Sequence, residues 1–144
     1  MNVNVLKLKK KAVIPTQGSD KSAGYDLYAC IDNDIVIKPH ETVKIGTGIE
    51  LDLPDGYFGA IFARSGIATS QGLRPANCVG VCDSDYRGEY IVPLHNDTDI
   101  TQKVYDGERI AQLVIMPCAS ASFTEVDSLD DTSRGCGGFG STGL

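Results

Sequence analysis

From Thr42 to Leu53, in TVKIGTGIELDL, apolar side chains fall at Val43, Ile45, Ile49, Leu51 and Leu53 with polar residues set between them. Such alternation turns one face of an extended chain into a core and the other into water, so the run predicts a half-buried strand. Shorter apolar runs follow in GYFGAIFA, EYIVPLHN and RIAQLVIM, and the turn-forming stretches KPHE, LPDG and YDGE punctuate them. Only SGIATSQG, starting at Ser65, reads as helical, and it is long enough for a turn or two. The pattern therefore predicts an all-β fold, a sandwich or jelly roll with one short helical turn. After Pro117 the chain changes to small and acidic residues around Phe123, Val126 and Leu129, expected to form an exit strand and connector.

The chain then finishes in RGCGGFGSTGL, Arg134 to Leu144. At ~3.3 to 3.6 Å per residue this arm reaches roughly 36 to 40 Å when extended. A globule of this size has a radius of gyration of only ~15 Å, so the arm is long enough to cross onto a neighbouring chain. The expected organisation is one core domain, residues 1–133, and an extended arm, residues 134–144. A length of 144 residues suits one domain, and no repeat or linker divides the strands.

Composition narrows the function. The opening MNVNVLKLKKK lacks the apolar core of a signal peptide, and no apolar run approaches the ~18 residues of a membrane span, so a soluble, cytoplasmic protein without a membrane partner is expected. Five cysteines without a CxxC pair favour reduced thiols over a disulfide framework or a zinc ribbon. A net charge of -6 argues against nucleic acid as a partner, and an anionic ligand must be held by local positive groups or a cation.

Those positive groups are unevenly placed. Seven of eight lysines lie at or before Lys44, whereas arginines stand at 64, 74, 87, 109 and 134. In ARSGIA, Arg64, Ser65 and Gly66 follow an apolar strand and open the helical turn, where either Ser65 caps a short helix with Arg64 on the surface, or backbone N–H groups, a hydroxyl and a guanidinium can converge on an anion. In NCVGVCDSDYRGEY, Asp83, Asp85, Arg87 and Glu89 occupy every second position, which on a strand puts four charges on one face. That is either a solvated face or a carboxylate poised as base or metal contact, with Tyr86 as a stacking surface. Gly135, Gly137 and Gly140 satisfy GxGxxG formally, but no strand and helix enclose them. With two histidines, neither near a serine or cysteine in a nucleophile setting, the general base is expected to be a carboxylate.

Taken in order, SAGYDLYA, RSGIA, NCVGVCDSDYRGE, GERIAQLVI and RGCGGFGSTG resemble the five motifs of the homotrimeric dUTP pyrophosphatases, from Ser22 to Gly143. Ala63 stands where proline is common in that family, and Cys82 where a branched aliphatic is usual. The resemblance implies a distorted jelly-roll β-barrel, and hydrolysis of dUTP to dUMP and pyrophosphate, limiting uracil incorporation into DNA and supplying dUMP for dTMP synthesis.

Roles follow from the resemblance position by position. Asp83 is expected to activate a water for attack on the α-phosphorus, and Asp26 to hold waters of a Mg²⁺ ion clamped by the phosphates. Arg64, Ser65 and Gly66 are expected to grip the phosphates with Gln112 assisting. Backbone groups at Gly80, Val81 and Cys82, with Asn77 supporting the turn, would read uracil, and Tyr86 would pack beneath the deoxyribose. The arm would close as a lid: Arg134 on the γ-phosphate, Phe139 over the uracil, and Ser141 with Thr142 on the terminal phosphate. Each site would draw on three chains of a homotrimer. A dCTP deaminase of related fold, and a dUTPase-fold binding protein, remain open alternatives at this point.

Overall fold

The computed structural model describes residues 1–138. Among the described residues, twelve strands form four antiparallel sheets, accompanied by one six-residue helix. The largest runs in the order β2 (Thr16–Gln17), β3 (Tyr25–Tyr28), β12 (Arg109–Pro117), β7 (Tyr57–Phe62) and β9 (Gly80–Cys82). Opposite it, β5 (Thr42–Gly46), β10 (Ile91–Asn96) and β8 (Leu73–Pro75) make a three-stranded sheet. Two pairs complete the wall: β1 (Asn4–Lys7) with β6 (Ile49–Asp52), and β4 (Ile35–Ile37) with β11 (Gln102–Val104). This is an all-β, jelly-roll-like arrangement around one apolar core. No helix of the described residues is long and apolar enough to cross a membrane.

The alternation read from Thr42 to Leu53 is real but broken into β5 and β6. The break falls at Gly48, whose φ of +68° belongs to the left-handed region that glycine enters cheaply. A side chain there would also press on Ala12 and Cys30. Between the sheets Leu27, Ile45, Ile49, Tyr90, Val92, Leu94, Ile110 and Leu113 are buried. Buried Asn96 donates to the carbonyls of Ile37, Lys38 and Ile100 and accepts from Thr98, tying the end of β10 to that of β4 without an unpaired polar atom.

Two expectations about strands need correction. Residues 83–90 are not a strand, because β9 ends at Cys82 and the Tyr86 N–H closes a turn onto the Asp83 carbonyl at 3.2 Å. The four alternating charges therefore do not share one face. The expected exit strand is also absent: after β12 the described residues 118–138 contain no strand, and Phe123 and Leu129 are 97% and 86% exposed. Among the described residues this segment pairs with no sheet edge.

Candidate active site

Pairing register decides where the functional side chains go. Gln112 of β12 lies opposite Asp26 of β3 and Phe62 of β7, so these three project from one face of the large sheet. Leu113 lies opposite Tyr25 and Ile61, and Ile61 opposite Gly80, so this set projects from the other face. Each face carries a cavity.

On the Gln112 face a cavity of about 780 Å³ is lined by Asp26, Arg64, Ser65, Gly66 and Gln112, together with Arg109. The end of β7 runs through Ala63 and Arg64 into α1 (Ser65–Ser70). Arg64 occupies the N-cap position and supplies no side-chain cap, so Ser65 is the first helical residue rather than the cap. Arg64 Nε donates to Asp26 Oδ1 at 2.7 Å, and its Nη1 donates to the Arg109 carbonyl at 3.4 Å. Arg109 Nη1 donates to Asp26 Oδ2 at 3.3 Å. One largely buried carboxylate thus orients two guanidiniums, leaving an excess of positive charge in a chain that is acidic overall. Gln112 Nε2 donates to the Ala63 carbonyl at 2.8 Å, holding the entry to this loop from behind. Around Gly66 a side chain would meet nothing within 4 Å, so glycine there leaves the cavity mouth open rather than relieving a clash within the chain.

On the opposite face a cavity of about 210 Å³ is lined by Asn77, Gly80, Val81, Cys82, Asp83 and Tyr86. Ile61 forms part of its wall, as do Glu89 and Tyr90. Gly80 is tight: a side chain would come within 3.1 Å of Ile61 Cβ and 3.3 Å of Asn77 Nδ2. The Asn77 side chain therefore sits over Gly80, beside a turn in which Cys78 takes a φ of +61°. Tyr86 donates its hydroxyl to the Glu89 carbonyl at 3.1 Å, and its ring lies where a side chain on Gly88 would be. The Tyr86 and Tyr90 rings are tilted neighbours, with centroids 6.2 Å apart. Burial pushes both the Cys82 thiol and the Tyr90 hydroxyl up from their ordinary values, so both are neutral at physiological pH. Because β9 is the outermost strand of its sheet, one edge of Gly80–Cys82 keeps backbone donors and acceptors free of strand pairing. Asp83, the residue after it, is exposed.

The two cavities differ in kind. The first holds two guanidiniums and one carboxylate; the second holds the carboxylates of Asp83 and Glu89 and no basic side chain. One suits an anion, the other an uncharged ring with polar edges. Arg134 belongs to neither, since its Nε donates to the Gly137 carbonyl at 2.8 Å within the arm. Phe139, Ser141 and Thr142 lie outside the described residues.

Sequence reading missed Arg109, the seat of Tyr86 at Gly88, and the floor residue Tyr90. Arg109 offered a signal, as the charged residue that opens the apolar run RIAQLVIM. Among the described residues no three His, Cys, Asp or Glu side chains gather to hold a metal ion. Asp26 alone faces the anion-suited cavity as a carboxylate. That donor set fits a hydrated magnesium arriving with phosphates, which needs one or two carboxylates rather than a protein cage.

Comparison with known proteins agrees with this chemistry. The family profile for dUTPase matches residues 10–143. A deoxyuridine 5'-triphosphate nucleotidohydrolase of Desulfitobacterium hafniense is 48% identical over 136 residues, covering 94% of this chain and 90% of that one. The enzyme of that name from Syntrophotalea carbinolica is 43% identical, covering 100% of this chain and 98% of its own. Among solved structures, the dUTPase of Staphylococcus bacteriophage 80alpha with dUPNHPP superposes with a TM-score of 0.90 at 27% identity, covering 99% of both chains. With almost its whole length matched by profile, sequence and fold, the chain belongs to the dUTPase family.

Proposed function

We propose that this chain hydrolyses dUTP to dUMP and pyrophosphate, at sites that join the Asp83 cavity of one chain to the Arg64 cavity of another within a homotrimer. The observation that carries this reading is the division of charge between two cavities on opposite faces of one sheet. A nucleoside triphosphate has an uncharged end and a highly anionic end. Among the described residues, one chain does not offer both receptors on one side.

In the Asp83 cavity, the free edge of β9 at Gly80, Val81 and Cys82 hydrogen-bonds the uracil, with Asn77 bracing the turn. A cytosine places a donor where uracil has an acceptor, and a buried mismatch of that kind discriminates by ~10⁴ to 10⁵. Tyr86, fixed by its bond to the Glu89 carbonyl, packs under the deoxyribose and excludes a 2'-hydroxyl. In the cationic cavity Arg64, Ser65 and Gly66 bind phosphate oxygens, with Arg109 and Gln112 beside them.

Asp83 accepts a proton from a water as that oxygen attacks the α-phosphorus. The new P–O bond forms, the α–β bridging P–O bond breaks, and pyrophosphate leaves with the bonding pair. Asp26 holds the hydration shell of Mg²⁺, which when bound supplies positive charge against the phosphate oxygens. The arm, residues 134–144, closes over the bound nucleotide, with Arg134 on the γ-phosphate, Phe139 over the uracil, and Ser141 and Thr142 on the terminal phosphate. Closure excludes water other than the nucleophile. The reaction keeps dUTP from DNA synthesis and provides dUMP for dTMP formation in the cytoplasm.

The test is pyrophosphate release from dUTP, dTTP, dCTP and UTP, with and without magnesium. The reading expects release from dUTP alone, accelerated by the metal. Comparable turnover of dCTP, or ammonia from it, would overturn it.

A further inference from the structure

We propose that Gly24 is a positioning residue: by having no side chain it seats the Gln112 amide, and through that amide it fixes the Ala63 carbonyl at the entrance to the phosphate-binding loop. The inference rests on the reading that the Arg64 cavity receives the phosphates.

Gly24 immediately precedes β3 and lines the Arg64 cavity. Two residues before Asp26, it falls on the same face of the sheet as Asp26 and Gln112. Its φ is not in the left-handed region, so the backbone does not itself require glycine. Space requires it. A Cβ on Gly24 would overlap Gln112 Oε1 and stand 3.2 Å from Gln112 Cδ and 3.4 Å from Gln112 Cβ. The three nearest atoms all belong to the Gln112 side chain, and no backbone atom comes closer than these.

That distinction determines what a substitution does. The sheet has no need to move, because Gln112 can swing away. Swinging away breaks the 2.8 Å bond from Gln112 Nε2 to the Ala63 carbonyl. Ala63 is the residue before Arg64, in the short connection from β7 to α1. Gln112 itself lines the cavity with Asp26, Arg64 and Ser65, so its displacement alters that cavity directly. Gly24 thus acts on phosphate binding through Gln112 and leaves the uracil cavity on the opposite face untouched.

The experiment compares full-length wild type, Gly24→Ala, Gln112→Ala and the double variant. Each is assayed for kcat and KM with magnesium and dUTP, and for binding of inorganic pyrophosphate and of deoxyuridine. Gly24→Ala is expected to weaken pyrophosphate binding and raise KM by ~10-fold or more, the scale of effect expected when a positioning group shifts. Deoxyuridine affinity is expected to stay unchanged, and the double variant to match Gln112→Ala. Unaltered pyrophosphate affinity in Gly24→Ala, or a further loss when Gly24→Ala is added to Gln112→Ala, overturns the inference. If Gly24→Ala fails to fold, the double variant decides: recovery of a folded protein with Gln112→Ala behaviour supports the role, and a second failure refutes it. A wild type that binds pyrophosphate yet releases none from dUTP would instead count against the proposed reaction.

Discussion

Ile61 and Phe62 are consecutive in β7, and each lines a different cavity. Strand geometry sends neighbouring side chains to opposite faces, so the cavity containing Asp83 and the cavity containing Arg64 are separated by the thickness of a sheet.

Complementation between variants follows from that separation. Asp83→Asn alone is expected to lose ~10² to 10⁴ in kcat, the usual contribution of a general base, while still binding a non-hydrolysable dUTP analogue. Arg64→Ala is expected to lose activity through the other cavity. Unfolding and refolding the two together should restore turnover, because a mixed trimer contains roughly one interface with both intact halves. Activity of the mixture no greater than the sum of the separate variants would show that the site is not shared between chains.

Arg64 cannot be replaced by another cation at the same cost as elsewhere on the surface. Its guanidinium bonds Asp26 and the Arg109 carbonyl from different nitrogens, which an ammonium group on a flexible stem does not reproduce. Arg64→Lys is expected to reduce kcat/KM for dUTP by roughly 100-fold. Asp26→Asn, measured beside it, should raise the magnesium concentration needed for half-maximal rate.

Ending the chain at Ser133 tests the arm. Since β12, the last strand among the described residues, finishes at Pro117, the truncated protein should retain its circular dichroism and its elution volume. Pyrophosphate release should fall by ~10² to 10³, the scale associated with removing donors to developing charge. An unchanged rate would assign the glycine-rich segment no part in catalysis.

Acid stability has a definite sign. Arg74 holds the Asp97 carboxyl below its ordinary value, bonding it at 2.6 and 3.0 Å. The Ile31 N–H, at 2.9 Å, does the same for Asp106, with Lys11 adding to it. Groups depressed in the folded state stabilise it above the unfolded carboxylate pKa of ~3.9, and that stabilisation is lost as pH falls through the folded value. Denaturation midpoints should therefore drop below about pH 4. Asp97→Asn should lower the midpoint at neutral pH and flatten part of the acid fall.

Strand content and the chemical inventory were legible in the sequence because they depend on short-range pattern. The run RIAQLVIM became β12, and SGIATS became α1. Charges at 83, 85, 87 and 89 imitated a strand, but Gly88 leaves room for the Tyr86 ring and the chain turns at Asp83 instead. Phe123, Val126 and Leu129 suggested a further strand, yet a strand needs a partner edge, which this pattern does not reveal. Cooperation between Asp26, Arg64 and Arg109 was hidden for a different reason. It arises from the register of β3 and β7 on either side of β12, set by residues distant in sequence. The seat at Gly24 was equally hidden, because an absent side chain signals nothing until its neighbour is located.

The back-to-back placement of the cavities has a consequence for how much catalyst a given amount of polypeptide makes. On the proposed reading, a newly synthesised chain holds every reactive group yet no working centre, and encounters with its own kind create one. Specific activity should then decline on dilution, in a sigmoidal way, and return on reconcentration. Abundance itself becomes a control on the reaction, with no dedicated regulator needed.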